Sequence, residues 1–317
     1  MALFLSEKEV AELLPMKDCI SALEEAFRQE ALGQAENRPR TRLMMPKGSL
    51  QIMPATYLGQ KVFGYKAYTV FPGGVRFLVM LHDSETGQLL SVMEAGALGQ
   101  IRTGAASGLA TKYMAKQNAS VAGIIGSGYQ AQTQLEAVCA VRPIKQARVY
   151  SRTPEKREAF AKEMSKKLGI AVQPVASAED CVRGADVIVT ITNSRDPVFK
   201  AEWLAEGAHI NAAGSNHWMR REIDADVVQR AELIVVDDLV QAKIECGDLM
   251  WPVERGLLRW EGVHELKAVV KGHVPGRPSD KAITLFESQG VALEDVAAAA
   301  LVYRRAKEKG KGRELPF

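Results

Sequence analysis

The segment Val121-Ala122-Gly123-Ile124-Ile125-Gly126-Ser127-Gly128-Tyr129-Gln130-Ala131 decides how this chain is read. A short apolar run breaks at two glycines and passes into a helical pattern, which is the grammar of a strand, a tight turn and a helix. Gly126 would make the turn, Gly128 would let the backbone approach a pyrophosphate, and Ala131 would take the helix-packing position of the G-x-G-x-x-G/A pattern. A helix opening at Tyr129 aims free N–H groups and a positive dipole end at phosphate, with Ser127, Tyr129 and Gln130 lining the turn. Strand-to-helix turns without a ligand share this spacing, so the flanking sequence has to decide.

Toward the C-terminus, apolar strands at Val121–Ile125, Ala147–Tyr150, Val187–Thr192, Ile210–Ala213 and Leu233–Val236 alternate with helical segments near Tyr129–Ala140, Pro154–Leu168, Ala178–Arg183, Arg220–Gln229 and Gln241–Met250. Alternation with short connections predicts parallel βαβ units in a doubly wound, Rossmann-type α/β sheet. The second strand runs into Ser151-Arg152-Thr153, where a carboxylate would normally bind the ribose diol of NAD, and none is present. Ser151 and Thr153 can donate hydrogen bonds, and Arg152 can pair with a 2′-phosphate and stack on adenine, which favours NADP(H). Thr192 and Asn193, at a strand's carboxyl end, would lie near the nicotinamide ribose.

Toward the N-terminus the grammar differs. Ser6 and Glu9 fit a capping box, a short helix stops at Pro15, and a second helix follows from Asp18 as N-cap, with Ile20, Leu23, Phe27 and Ala31 at helical spacing. Strands are then predicted at Arg40–Met45, Leu50–Thr56, Val62–Val70, Phe77–Leu81 and Leu89–Met93, separated by Gly/Pro turns, and sequential strands of this kind build an antiparallel sheet. A small-residue helix runs from about Leu98 to Lys116. The last helix, from Leu293 to about Lys307, is alanine-rich and could pack back onto the N-terminal part. The division expected is a discontinuous α+β domain, 1–117 completed by 293–317, and a dinucleotide-binding domain, 118–292.

Length, 317 residues, allows about two domains, and 47% hydrophobic with 25% charged residues is an ordinary globular balance. A net charge of +3 is too balanced to imply a nucleic-acid partner. No apolar run approaches membrane-spanning length, and Cys19, Cys139, Cys181 and Cys246 lack metal-ligand spacing, so the reading is a cytoplasmic chain with reduced thiols and no metal. The five histidines show no H-E-x-x-H spacing, and no nucleophile elbow is visible. His217, just past a strand's carboxyl end, is a candidate for the site rim and equally a loop histidine. Four cations stand out. Lys66 lies mid-strand, Arg102 opens a helix, and Arg40 and Arg42 share one face of a strand. Converging, they would suit a carboxylate; singly, each is also what a solvated surface carries.

The wording of Leu50-Gln51-Ile52-Met53-Pro54-Ala55, Gly64-Tyr65-Lys66, Ile101-Arg102-Thr103-Gly104-Ala105-Ala106, Gly126-Ser127-Gly128-Tyr129-Gln130-Ala131, Gly207-Ala208-His209-Ile210-Asn211-Ala212-Ala213-Gly214 and Cys246-Gly247-Asp248-Leu249 resembles the ornithine cyclodeaminase/mu-crystallin family over nearly the whole chain. The resemblance implies a homodimer pairing through the antiparallel sheet, an NAD(P)-binding Rossmann domain, and a substrate cleft between the two domains. It puts Lys66 and Arg102 on substrate-binding positions and the earlier arginine on Arg40 or Arg42, with Arg40-Thr41 reproducing a family dipeptide. Two positions depart. Asn216 stands where cyclodeaminases carry an aspartate for the distal amine of ornithine, and asparagine cannot take its proton. Gly99 stands where many relatives have threonine.

These readings converge on an NADPH-dependent reductase of a C=N bond beside a carboxylate, or the reverse oxidative deamination, with Lys66 or a bound water as the acid. The rival enzyme is an amino-acid cyclodeaminase of the ornithine type. The rival from another class is an NADPH- or small-ligand-binding protein of the mu-crystallin type.

Overall fold

The structure is a computed structural model that describes residues 1–316. The chain divides into two compact units, residues 1–102 with the segment from Val291 onward, and residues 103–290. The first division falls inside the helix Gly96–Met114, where the sequence suggested a boundary after it at 117. Beyond Arg102 the helix serves the second unit. A Cβ on Gly104 would strike the Thr133 backbone, and Asn211 donates to Thr111 Oγ1 at 3.0 Å.

In the first unit an eight-stranded sheet runs in the order Arg313–Leu315, Ala2–Leu5, Leu89–Glu94, Gly74–Asp83, Val62–Phe71, Gly48–Tyr57, Ala35–Asn37, with Thr41–Met45 also paired to Gly48–Tyr57. Every pairing is antiparallel except Ala2–Leu5 with Leu89–Glu94. The helices Met16–Ala31 and Ala292–Lys309 pack on each other, and the latter covers the central strands. The capping box at Ser6 is present, and the Glu7 carboxylate takes the N–H groups of Gly96 and Ala97 at 2.6 and 2.7 Å. The second helix starts at Met16 with Pro15 as its N-cap, because Pro pre-sets the entry φ; Asp18 lies in the first turn and pairs with Arg305.

In the second unit eight strands, all parallel, run in the order Ala171–Pro174, Gln146–Tyr150, Val121–Ile125, Val187–Thr190, His209–Ala212, Thr284–Glu287, Leu233–Val236, Val263–Glu265. Successive side chains serve opposite cores. Ile188 joins Ile210, Ile234 and Leu285 on one face, while Val187 and Val189 join Ile124, Val149, Leu135 and Phe160 on the other. The five strands read from sequence are there, plus Ala171–Pro174, Val263–Glu265 and Thr284–Glu287, whose four residues or fewer carry too little apolar pattern to stand out. Two helices are shorter than their periodicity suggested. Asp224 caps Ala225–Arg230, so residues 220–224 stay outside it, and the segment 239–254 breaks at Cys246 into Leu239–Glu245 and Gly247–Glu254. Among the described residues no helix is long and apolar enough to cross a membrane.

Candidate active site

Lys66 sits in the middle of Val62–Phe71, on the alternate positions that face inward. Its cross-strand neighbours Met53 and Val79 are fully buried, so its side chain leaves the strand among apolar groups, with 2% of the residue exposed. Burial, then the neighbouring Arg102 charge, pushes its pKa down from 10.5 to about 7, with Arg40 acting the same way and Asp295 opposing. The result is an amine that exchanges its proton near neutrality.

What keeps these charges in the interior is the first turn of Ala292–Lys309. Asp295 takes Lys66 Nζ at 2.7 Å and Arg102 Nε at 2.9 Å, and Glu294 takes Arg102 Nη1 at 2.6 Å; both acids are fully buried. The helix dipole favours carboxylates at this end, and paired cations offset part of the cost of burying them. Burial still raises the Glu294 pKa, against the pull of Arg102. Arg40, 7% exposed and one residue before its strand, donates to Met53 Sδ at 3.4 Å, and Met53 is the cross-strand partner of Lys66. Arg40, Lys66 and Arg102 therefore gather in one cluster. Arg42 is only half-buried and lies opposite Gln51, two strand positions away from Met53.

In the second unit, Gly126 has φ of 117°, and a Cβ there would collide with the Ile191 carbonyl oxygen. Gly128 opens the helix Tyr129–Val141, and a Cβ on it would meet nothing within 4 Å. The turn thus has a tight floor at Gly126 and open space over Gly128, and Ala131 is fully buried against the sheet. Ser127 Oγ and Ser151 Oγ are 2.8 Å apart, which joins the turn to the end of the second strand, while Arg152 and Thr153 are exposed there. The residues fit a dinucleotide: a close-approach glycine, a helix N-terminus and a hydroxyl pair beside an exposed arginine. Thr192 is half-buried, Asn193 and Asn216 are exposed, and His217 stacks on Trp218.

Three acids that the sequence reading did not single out organise these places. Glu294 and Asp295 had a signal, since the run Val296-Ala297-Ala298-Ala299-Ala300-Leu301-Val302 is apolar on every side and so reads as buried, and adjacent acids in the turn before it then require cations. Glu222 had none in the pattern. It is fully buried and takes N–H groups from Thr192 and Gly214.

A model of the ornithine cyclodeaminase/mu-crystallin family matches residues 1–310. An alanine dehydrogenase of Archaeoglobus fulgidus is 41% identical over 328 residues, covering 99% of this chain and 98% of its own. The solved Δ1-pyrroline-2-carboxylate reductase of Thermococcus litoralis, in complex with NADH and L-proline, superposes with a TM-score of 0.94 at 37% identity, over 99% of this chain and 100% of that one. An archaeal alanine dehydrogenase dimer with bound NAD gives a TM-score of 0.93 at 40% identity, over 100% and 99%.

Proposed function

The chain belongs to the ornithine cyclodeaminase/mu-crystallin family, and we propose that, as an oxidoreductase on carbon–nitrogen bonds like its relatives, it reduces the C=N bond of an imine carrying a carboxylate, with NADPH. The observation that carries this reading is Lys66: an amine buried among Met53 and Val79, tied to Asp295 at 2.7 Å and brought to a pKa of about 7. Arg40, Lys66 and Arg102 gather at one place, a cationic setting that suits a substrate carboxylate. Arg102 and Arg40 hold that group, and Lys66 gives its proton to the imine nitrogen, which makes the carbon a better hydride acceptor. Asp295 fixes Lys66 and Arg102 to each other, so holding and protonation share one frame. The nicotinamide supplies the hydride when bound. In the reverse direction, neutral Lys66 takes the proton from an amino acid undergoing deamination.

The substrate arginine is Arg40 rather than Arg42, since Arg40 is buried on Met53, the cross-strand partner of Lys66, whereas Arg42 is half-buried opposite Gln51. The 2′-phosphate falls to Arg152, with Gly126, Ser127, Gly128, Tyr129 and Gln130 at the pyrophosphate, Ser151 and Thr153 at the adenosine ribose, and Thr192, Asn193 and Asn216 toward the nicotinamide and substrate. Cyclodeamination of ornithine is disfavoured because Asn216 cannot carry the proton. The exposed apolar strand residues Leu43, Met44, Val70, Phe71 and Val75 give the first unit a surface that a second copy of the chain would cover, in keeping with the dimer of the archaeal alanine dehydrogenase. The deciding experiment is a screen of NADPH absorbance against cyclic imino acids and against 2-oxo acids with ammonia or methylamine. Oxidation with at least one class is expected. Tight NADPH binding with no oxidation by any of them would replace this reading with a ligand-binding role.

A further inference from the structure

We propose that Glu222 is the positioning residue for the nicotinamide end of the dinucleotide site, its carboxylate clasping the two loops that carry Thr192–Asn193 and Gly214–Asn216. This rests on the reading that the second unit binds a dinucleotide. Both loops leave carboxyl ends of neighbouring parallel strands, Val187–Thr190 and His209–Ala212, paired with Thr190 opposite Ala212. Glu222 Oε1 accepts Thr192 N–H at 2.6 Å; Oε2 accepts Gly214 N–H at 2.7 Å and Thr190 Oγ1 at 3.0 Å. The loops also touch, since a Cβ on Gly214 would strike Thr192 N and O and Glu222 Oε2. On its other side, the first loop meets the glycine turn. Ile191 N–H donates to Ile125 at 2.9 Å, and the Ile191 carbonyl is what forbids a side chain on Gly126. One buried anion thus sets the spacing from the pyrophosphate turn to Asn216.

Glu222 is itself held. Asp248 Oδ1 takes the N–H groups of Glu222 and Ile223 at 2.7 and 2.8 Å, which fixes the backbone that carries the carboxylate. The N–H groups of Thr192 and Gly214 and the hydroxyls of Thr190 and Thr192 converge on two carboxylate oxygens, and a glutamine amide offers one acceptor oxygen and turns an N–H₂ group toward the remaining donors. Glu222→Gln should therefore release one loop without emptying the cavity.

The test separates the two ends of the cofactor. NADPH and NADH are titrated by fluorescence, and 2′-phospho-ADP-ribose and ADP-ribose, which lack nicotinamide, by calorimetry. With Glu222→Gln the Kd of the intact dinucleotide should rise about tenfold or more, as loss of a charge-assisted hydrogen bond implies, and that of the nicotinamide-free fragment should stay within about twofold. Equal weakening of both would overturn the positioning role and leave dinucleotide binding standing. Failure of the wild-type protein to bind NADPH, NADH and both fragments would instead overturn the reading beneath it. Should Glu222→Gln not fold, Thr190→Val, which removes one of the donors to Glu222, carries the same contrast at about threefold; no contrast there would equally overturn the proposal.

Discussion

The cation cluster of the first unit and the glycine turn of the second solve opposite problems. At Lys66, charged groups are put where solvent is absent, and stability depends on counter-charges: Lys66 with Asp295, Arg102 with Asp295 and Glu294. At Gly126–Gly128 no side-chain charge is buried; a left-handed φ at Gly126 makes the turn, and the missing Cβ at Gly128 leaves open space beside the backbone. The first is sensitive to which atoms carry protons, the second to where backbone atoms lie. Changes in chemistry should therefore register in the cluster, and changes in shape in the turn.

The sharpest break comes from Lys66→Met, which keeps the volume and removes the proton. Turnover should fall about a thousandfold, within the span for loss of a general acid, while the Kd for NADPH stays within about twofold. Loss of NADPH binding in parallel would end the separation of roles. Next in size, Arg152→Ala should raise the KM for NADPH by about twentyfold and leave that for NADH nearly unchanged, the signature of a lost phosphate pairing. Equal effects on both cofactors would remove the 2′-phosphate assignment.

Asp295→Asn tests the cluster through pH. The Asp295 charge raises the Lys66 pKa against burial and Arg102, so its removal lowers that pKa further below about 7. Protonated Lys66 then disappears at lower pH. The alkaline limb of kcat/KM for reduction should move to lower pH, with about a tenfold loss at pH 8 and a smaller one at pH 6; a pH-independent loss would mean that Asp295 acts only on structure. The smallest effect is expected in the turn. Gly128→Ala finds open space, so the melting temperature should hold while the Kd for NADPH rises a few-fold, whereas Gly126→Ala should destabilise the unit by about 1–3 kcal/mol through its φ and the Ile191 carbonyl. Equal melting losses in the two variants would refute the distinction between floor and opening.

Periodicity made most of this fold legible. The alternation around Val121–Ile125 and Val187–Thr190 marks a parallel sheet because both faces are covered, and the long antiparallel strands announce themselves by turns at Gly73-Gly74 and Thr86-Gly87. Thr284–Glu287 escaped because a four-residue strand in mid-sheet is defined by its neighbours, not by its own pattern. Lys66 and Arg102 could be named from sequence, but the acids that neutralise them stand 192 and 193 residues from Arg102 along the chain, and no local spacing encodes that partnership. Glu222 is hidden for the same reason: its role is written in the backbone donors that converge on it.

The position of Glu294 and Asp295 along the chain also dictates an order of assembly. The second unit is a continuous stretch and has all its strands once Gly290 has been synthesised. The first unit begins the chain yet lacks the counter-charges for Lys66 and Arg102 until the helix Ala292–Lys309 emerges, and two uncompensated cations oppose closure of its interior before then. On the ribosome, the half made first is finished last.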